Sequence, residues 1–445
     1  MPKLKCLIVG NGGREGSIAE KLKNDCEVYA FVKHQNPGIA FIAEATGGSL
    51  KEGNYLDGQE VSKFAIQNKI DIAIINNDDI LAAGVVDCLQ KVGIKTFGPT
   101  KEGSKIEWSK SYARNLADSV DPSFSPKFCV VTSEGELDQV IETFGDLEMV
   151  VKPDGLTGGK GVKVMGPHLK SIAEVKDYAR LLLNQDGQVL IEEKLDGFEF
   201  TTMGITDGSS IVVAPLTYDY PYRFDGDSGP GTGGMGCFAM ENGRLPFVTS
   251  SDVEKCKKFM EKVVENLNSN GIIFNGVLNG GFFKRKNGDL KMMEFNSRIG
   301  DPECLNVMET LETPLIDVVK SCVFGGLSED KCKFRKEASV VVYLVSKGYA
   351  LTIGVEPFTF KIDEEAIKDQ GGSVIYSSCV RGDGINTFSP VGASRLAAIV
   401  ASGQTLEEAR EKVYGLINRY VTGLVDYRTD IACKEKIEEM MKQIK

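Results

Sequence analysis

The first hundred residues set the tightest limit on what this chain can fold into, because short aliphatic runs alternate there with helical patterns. CLIVG (6–10) leads into GNGGRE, VYAFV (28–32) follows one helix later, IDIAIIN (70–76) follows another, and IKTFGP (94–99) closes the series. Strands joined through helices in this way build a parallel sheet with helices packed on it. Gly10, Gly12 and Gly13 then fall at the carboxyl end of the first strand, where ligands of open α/β sheets bind. The spacing fails as a dinucleotide fingerprint, since Gly16 falls one position late and Arg14 would crowd a pyrophosphate. We read Gly12, Gly13 and Arg14 as a phosphate or carboxylate site at a helix N-terminus. The alternative is a tight turn with no ligand.

Beyond this unit, residues 101–117 carry a helical pattern with the lone Trp108, and 121–126 reads as a proline-bearing linker. MVVKPDGLTGGKGVKVM (149–165) is an apolar strand, a glycine-rich loop and a second strand. Such a loop cannot be held by its own side chains, so it is expected to close over something anionic, with Lys152 and Lys160 reaching the charge. VLIEEKLDGFEFTTMGITDG (189–208) reads as strand, turn, strand with Glu192, Glu193 and Glu199 as acidic groups. YRFDGDSGPGTGGMG (222–236) looks too irregular for strand or helix and long enough to be functional. Residues 300–323 suggest a capped amphipathic helix pair. ASVVVYLVS (338–346), ASRLAAIVAS (393–402) and the helical TLEEAREKVYGLINRYV suggest a separate α+β lobe at the end.

The most informative chemistry lies in KMMEFNSRIGDP (291–302). As a strand it puts Glu294 and Asn296 on one face and Phe295 on the other, with Arg298 continuing the polar side. Hard oxygen ligands beside a fixed positive charge suit Mg2+ carrying a triphosphate. An edge strand with a solvated polar face is the plainer alternative. Composition narrows the class. At 445 residues and 42% hydrophobic content the chain is long enough for several domains. No apolar run is long enough for a membrane span, and Met1 to Lys5 leads straight into a strand, so a cytoplasmic protein without membrane partners is expected. A net charge of -11 argues against a nucleic-acid partner. Eleven scattered cysteines without a C-x-x-C pair suggest neither a disulfide framework nor zinc. With His34 and His168 as the only histidines, a Ser-His or Cys-His mechanism has little to work with.

A linker lysine, a hairpin lysine with a glycine-rich lid, an E-E-x-L turn followed by a glutamate, and a strand E-x-N resemble, in that order, the ATP-grasp superfamily. F-G-P-T-K-E (97–102), S-K (109–110), K-P-D-G-L-x-x-G-K-G-V (152–162), D-x-G-P-x-T-G-G-M-G (227–236) and E-F-N-x-R-x-G-D-P-E (294–303) make the chain similar, over nearly its whole length, to the phosphoribosylamine-glycine ligase family. The resemblance implies an α/β and α+β multidomain fold. It would comprise an N-terminal parallel-sheet, Rossmann-like substrate domain (1–105), a linker helix and hinge (106–125), and a two-lobed ATP-grasp core. The small lobe with its lid would span 126–195, the large lobe with the metal site 196–328, and a C-terminal α+β domain 329–445. It implies ATP-dependent joining of glycine to 5-phosphoribosylamine through glycyl phosphate, with ATP and Mg2+ or Mn2+ required, in a monomer or homodimer.

By the same resemblance Lys110 and Lys152 would contact ATP phosphates, and Gly158, Gly159, Lys160 and Gly161 would form the lid. Glu192, with the backbone of Glu193 and Leu195, would read adenine, and Glu199 would hold the ribose. Glu294 and Asn296 would bind metal, and Arg298 would stabilise the transferring phosphoryl. Gly12, Gly13, Arg14, Asp78, Asp219, Asp227, Thr232, Gly233, Gly234 and Asp301 would line the glycine and phosphoribosylamine sites. The chain departs from the family where Gly16 replaces a usual histidine, where Asn76-Asn77-Asp78-Asp79 replaces G-P-E-x, and at Gly231, Ile299 and Gly281. These departures lie in amine-substrate motifs and in one optional metal position. Two alternatives follow: an ATP-grasp ligase with another amine acceptor, and a nucleotide-binding regulator without turnover.

Overall fold

The computed structural model describes residues 3–156, 161–352 and 357–444. Strands β1 (Leu4–Val9), β2 (Cys26–Val32), β3 (Leu50–Glu52), β4 (Ile72–Ile75) and β5 (Lys95–Phe97) form a sheet in the order β3-β2-β1-β4-β5. Every pairing in it is parallel. Cys6 and Ile8 face one core while Leu7 and Val9 face another, so β1 is apolar throughout rather than alternating. β3 was not expected. LKE carries no strand pattern of its own, and it is a strand because Leu50–Glu52 pairs with Ala30–Val32 of β2.

A second sheet, all antiparallel in the order β6-β9-β7-β8, contains β6 (Phe128–Val131), β7 (Met149–Pro153), β8 (Lys163–Val164) and β9 (Val189–Glu193). Helices Glu134–Phe144 and Ile172–Asp186 cover it through Leu137, Ile141, Val175 and Ala179. β7 and β8 are the expected strands of the glycine-rich hairpin. Gly158, Gly159 and Lys160 of its loop lie outside the described residues.

From β9 the chain passes through a short turn into a ten-stranded sheet. It begins with β10 (Phe198–Thr206), β11 (Ile211–Val213) and β12 (Thr217–Asp219). The segment 222–236, expected to be neither strand nor helix, instead holds a hairpin of β13 (Tyr222–Phe224) and β14 (Ser228–Gly231), and then enters β15 (Gly236–Ala239). Gly226 and Asp227 both have positive φ, which closes this tight turn. Its glycines hide the strands, because they carry no alternation to read. β16 (Gly276–Lys284) and β17 (Leu290–Asn296) complete this half, and β17 bulges at Met293, since Gly281 pairs with Glu294 but Phe282 with Met292.

The remaining strands are β18 (Ala338–Ser346), β19 (Phe360–Ile362), β20 (Gly372–Tyr376), β21 (Cys379–Arg381), β22 (Thr387–Pro390), β23 (Ala397–Gly403), β24 (Val421–Gly423) and β25 (Val425–Asp426). The C-terminal α+β segment does not stand apart as expected. β18 pairs with β15, so the large sheet runs β17-β16-β10-β12-β15-β18-β23-β20 without a break. β18 is buried at every position, and a strand buried in that way needs a neighbour on each side. The helix expected over 101–117 is also interrupted. It divides into Lys105–Trp108 and Lys110–Val120 at Ser109, whose backbone is extended and whose hydroxyl accepts from the Tyr112 amide. The expected helix pair is present as Glu303–Thr310 and Leu315–Val323, with Pro302 and Pro314 at the N-cap positions instead of capping side chains.

An aromatic stack ties the linker to the large sheet. The rings of Phe124 and Phe259 lie 4.2 Å apart at 7°, and Phe259 meets Phe295 of β17 at 5.9 Å. Truncating Phe259 to alanine removes the shared ring, so Phe259→Ala should cost about 3–5 kcal/mol. A lowered midpoint of urea unfolding, followed by circular dichroism, would show it. An unchanged midpoint would mean the linker is held by other contacts.

Candidate active site

A cavity of about 270 Å³ opens between the small antiparallel sheet, the ten-stranded sheet and the carboxyl end of the N-terminal sheet. Its polar wall is the strand Glu294, Asn296 and then Arg298, and its opposite side carries Lys110 and Lys152. Leu156, Val162, Leu190 and Met292 supply apolar surface. The sequence therefore brings five of the residues singled out for nucleotide and metal into one cleft.

Each is held by a neighbour. Arg298 pairs with Glu107 at 3.0 Å and donates to Asn296 Oδ1 at 3.0 Å. Glu107, only 8% exposed, also accepts from the amide and hydroxyl of Ser297, both at 2.9 Å. Burial raises the Glu107 carboxyl even though Arg298 opposes the shift. Asn296 Nδ2 lies 3.4 Å from Glu294 Oε1. Lys110 Nζ donates to Gly155 O at 3.0 Å, and burial, with Lys152 nearby, lowers its pKa. Asp154 fixes the root of the hairpin, accepting from Ser109 Oγ, the Ser111 amide and Gln188 Nε2 at 2.6–2.9 Å.

Glu192 departs from the expected role. Its carboxylate does not face an open base slot. It is clamped by Arg114 Nε at 2.5 Å and by Lys152 Nζ at 2.6 Å, and all three side chains are buried. Burial would raise the carboxyl, but the two cations hold it below the usual range. Arg114 also donates to Met292 O at 2.8 Å and Met293 O at 2.9 Å, the carbonyls of the β17 bulge. The Glu193 amide is committed to Lys127 O, and its carboxylate lies 3.7 Å from Arg285. Leu195 follows in the turn between β9 and β10. Glu199 is solvent-exposed outside the cavity wall, yet enclosure by the cleft and the carboxylates of Glu294 and Glu303 raise its pKa to about 7. Gly161, at the described end of the lid, accepts from Tyr178 Oη at 2.6 Å.

At the other end of the cleft the expectations meet a different geometry. The helix N-terminus after β1 is not an open anion cradle, because Glu15 Oε2 accepts from the Gly12 amide at 2.8 Å. Tyr343 of β18 lies over Gly13, where an added Cβ would stand 2.2 Å from its hydroxyl. Arg14 turns to Ile299 O at 3.4 Å and to Asp78 at 3.8 Å, and Arg14 with Arg298 holds the Asp78 carboxyl low against the effect of burial. Asp301 accepts from Tyr343 Oη at 2.8 Å and pairs with Arg395 at 2.8 Å. Arg395 reaches on to the carbonyls of Gly233 and Gly234. Thr232, Gly233, Asp78, Asp219 and Asp301 line the cavity.

Asp227 does not join them. It is tied to Arg428 at 3.0 Å and Lys436 at 2.6 Å, so it anchors the hairpin to the C-terminal segment. Reading the sequence missed Arg114, Glu107, Asp154, Tyr343 and Arg395. Asp154 alone carried a signal, as part of K-P-D-G.

One carboxylate and one carboxamide oxygen on a single strand fit a divalent ion that shares its shell with phosphate and water. Among the described residues no group of three His, Cys, Asp or Glu forms a closed cage, which such sharing does not require. Nor is any helix among them long and apolar enough to cross a membrane.

Residues 4–107 match the N domain, and residues 108–304 the ATP-grasp domain, of phosphoribosylglycinamide synthetase. A phosphoribosylamine-glycine ligase of Pyrococcus furiosus is 39% identical over 99% of this chain and 97% of its own length. One of Methanobrevibacter smithii is 38% identical, with 99% of both covered. The crystal structure of the Thermotoga maritima phosphoribosylamine-glycine ligase superposes with a TM-score of 0.77 at 24% identity, over 96% of this chain and all of that one. The biotin carboxylase domain of the Hydrogenobacter thermophilus 2-oxoglutarate carboxylase, solved with MgADP and bicarbonate, shares the fold at a TM-score of 0.71 and 14% identity, covering all of this chain and 94% of that one. On these full-length relationships, this chain belongs to the phosphoribosylamine-glycine ligase family of ATP-grasp enzymes.

Proposed function

We propose that this chain joins glycine to 5-phosphoribosylamine at the expense of ATP, giving glycinamide ribonucleotide, ADP and phosphate as a step of purine biosynthesis. The observation that carries the reading is the single cleft in which Lys110, Lys152, Glu294, Asn296 and Arg298 converge beside the end of the N-terminal sheet. A glycine carboxylate oxygen attacks the γ-phosphorus and ADP leaves. The amine of phosphoribosylamine then attacks the glycyl phosphate carbonyl, and phosphate leaves. Phosphoryl transfer asks a protein chiefly for positioning and charge stabilisation, which lysine and arginine side chains supply without a histidine base.

In this reading Lys110 and Lys152 hold nucleotide phosphates, with Lys152 aimed by Glu192. Arg298, steered by Glu107, meets the charge that develops on the transferring group. The turn at Glu193 and Leu195 borders the adenine. Glu199 meets the ribose at the rim. Glu294 and Asn296 would hold Mg2+ or Mn2+, which when bound supplies Lewis-acid polarisation of phosphate oxygens. Arg14, Asp78, Asp301 and the Thr232 to Gly234 turn border the phosphoribosylamine end.

Purified protein given ATP, Mg2+, glycine and freshly generated phosphoribosylamine should form ADP and glycinamide ribonucleotide in equal amounts, both requiring the amine. ADP without that product would move the assignment to another acceptor. Glu294→Ala should lower turnover on the order of 100-fold or more and raise the Mg2+ concentration needed, while the fold survives. A normal rate would remove Glu294 from the metal site. Glu107→Gln frees Arg298 to drift, so kcat should fall about 100-fold with little change in the KM for ATP. Equal losses in both would indicate a general disturbance of the cleft instead.

A further inference from the structure

The two lysines of the cleft wall come from different units, Lys110 from the linker helix and Lys152 from β7, yet one side chain outside the cavity joins both. Asp154 lies just past the end of β7, close behind Lys152. Its Oδ1 accepts from the Ser111 amide at 2.7 Å, and its Oδ2 accepts from Ser109 Oγ at 2.9 Å and from Gln188 Nε2 at 2.6 Å. Its backbone carbonyl takes the Lys110 amide at 3.3 Å. The first amides of a helix have no intrahelical acceptor and must be met from outside. Ser109 meets the Tyr112 amide at 3.2 Å, and Asp154 meets those of Lys110 and Ser111. The helix that begins at Lys110 is therefore capped largely by the hairpin that carries Lys152. The Gly155 carbonyl completes the junction by holding Lys110 Nζ at 3.0 Å.

We propose that Asp154 is a positioning residue for the nucleotide phosphates, fixing the spacing between Lys110 and Lys152. The inference rests on the nucleotide part of the ligase reading and deepens it. Asp154, Ser109 and Gln188 stand outside the cavity wall, whereas both lysines line it, so the aspartate acts through the lysines. Placement of this kind is worth a great deal, since moving a binding group by about 1 Å can cost about 100-fold. The sign of the effect separates placement from charge. The side-chain partners of Asp154 among the described residues are all uncharged donors, so its carboxylate keeps its negative charge beside the two lysines. On charge alone, removing it would tighten the binding of a polyphosphate. Weaker binding by a folded variant therefore marks lost placement.

The test is the Kd for ADP with Mg2+, measured by equilibrium dialysis on Asp154→Ala and Asp154→Asn. Asparagine caps a helix about as well as aspartate does, and Gln188 can turn its carboxamide to receive the new N–H group. Asp154→Asn should stay within about 3-fold of wild type or bind more tightly, whereas Asp154→Ala should raise the Kd about 10–100-fold, the loss expected when hydrogen bonds to a charged group are removed. In the steady state, Asp154→Ala should raise the KM for ATP by a similar factor and leave that for glycine within about 3-fold of wild type. An unchanged or lowered Kd in Asp154→Ala overturns the proposal. Equal weakening by both variants does so too, because it would trace the effect to charge. If Asp154→Ala lacks the wild-type circular dichroism spectrum, Gln188→Leu takes its place: loss of one of the three donors should raise the Kd about 3–10-fold, and an unmoved value refutes the role. ADP binding needs no turnover, so the variants decide this inference even if no glycinamide ribonucleotide forms. Ligase activity with equal ADP binding by all the proteins would sink the inference and leave the ligase reading standing, and no ADP binding by the wild type would refute both.

Discussion

Much of the active cleft depends on one buried ion cluster, Arg114 with Glu192 and Lys152. Arg114 comes from the linker helix, Glu192 from β9, Lys152 from β7, and the carbonyls that Arg114 also holds come from the β17 bulge. Four segments of three structural units are thus fixed to one another by charges that water does not reach. Taking an arginine, a lysine and a glutamate out of water is expensive, and such a cluster persists only when its donors and acceptors are matched. Arg114 is matched through all three of its nitrogens. The excess positive charge left after Glu192 is satisfied faces the cavity, where an anionic phosphate would restore balance.

The rest of the cleft divides its charge by position. Lys110 and Lys152 lie on the side of the small sheet, while Glu294, Glu303, Asp219, Asp301 and Asp78 lie along the large sheet and the N-terminal unit. Arg298, Arg395 and Arg14 are spaced among those acids. Each arginine has a carboxylate partner, Glu107, Asp301 and Asp78 respectively. Glu294, Glu303 and Asp219 are not among these partners, so part of the acidic wall is left without a cation among the described residues. The cleft therefore suits a ligand with negative charge at one end and a positive or hydroxylated group at the other.

The parallel strands were legible because burial on both faces leaves unbroken aliphatic runs, and E-x-N was legible because strand periodicity puts Glu294 and Asn296 on one face. β3 and the β13–β14 hairpin were not, since LKE and a glycine-rich stretch become strands only through partners elsewhere in the chain. Glu107 and Arg114 were hidden for a related reason. On a helix they read as ordinary solvated charges, and only the docking of that helix onto β17 and β9 buries them. Tyr343 was read as one more apolar residue of a strand, and Arg395 lay in a stretch taken for a strand. Asp227 erred the other way: a motif aspartate is spent on Arg428 and Lys436 rather than on substrate.

The C-terminal segment follows from the same logic. β18 continues the large sheet, which carries Tyr343 over Gly13 and onto Asp301. Any side chain at position 13 would displace that hydroxyl, so the tyrosine by itself requires the glycine. Arg395, just before β23, stacks on the Tyr343 ring at 4.2 Å and holds Asp301 together with the Gly233 and Gly234 carbonyls. This end of the cleft is consequently built from three stretches far apart in sequence. The N-terminal sheet brings Gly13 and Arg14, the motif after β17 brings Asp301, and the C-terminal strands bring the tyrosine and arginine that lock them. A ligand entering there meets a surface whose position is set by contacts between segments far apart in sequence, whereas the end that holds Lys110 and Lys152 is set mainly by the linker helix and the neighbouring hairpin.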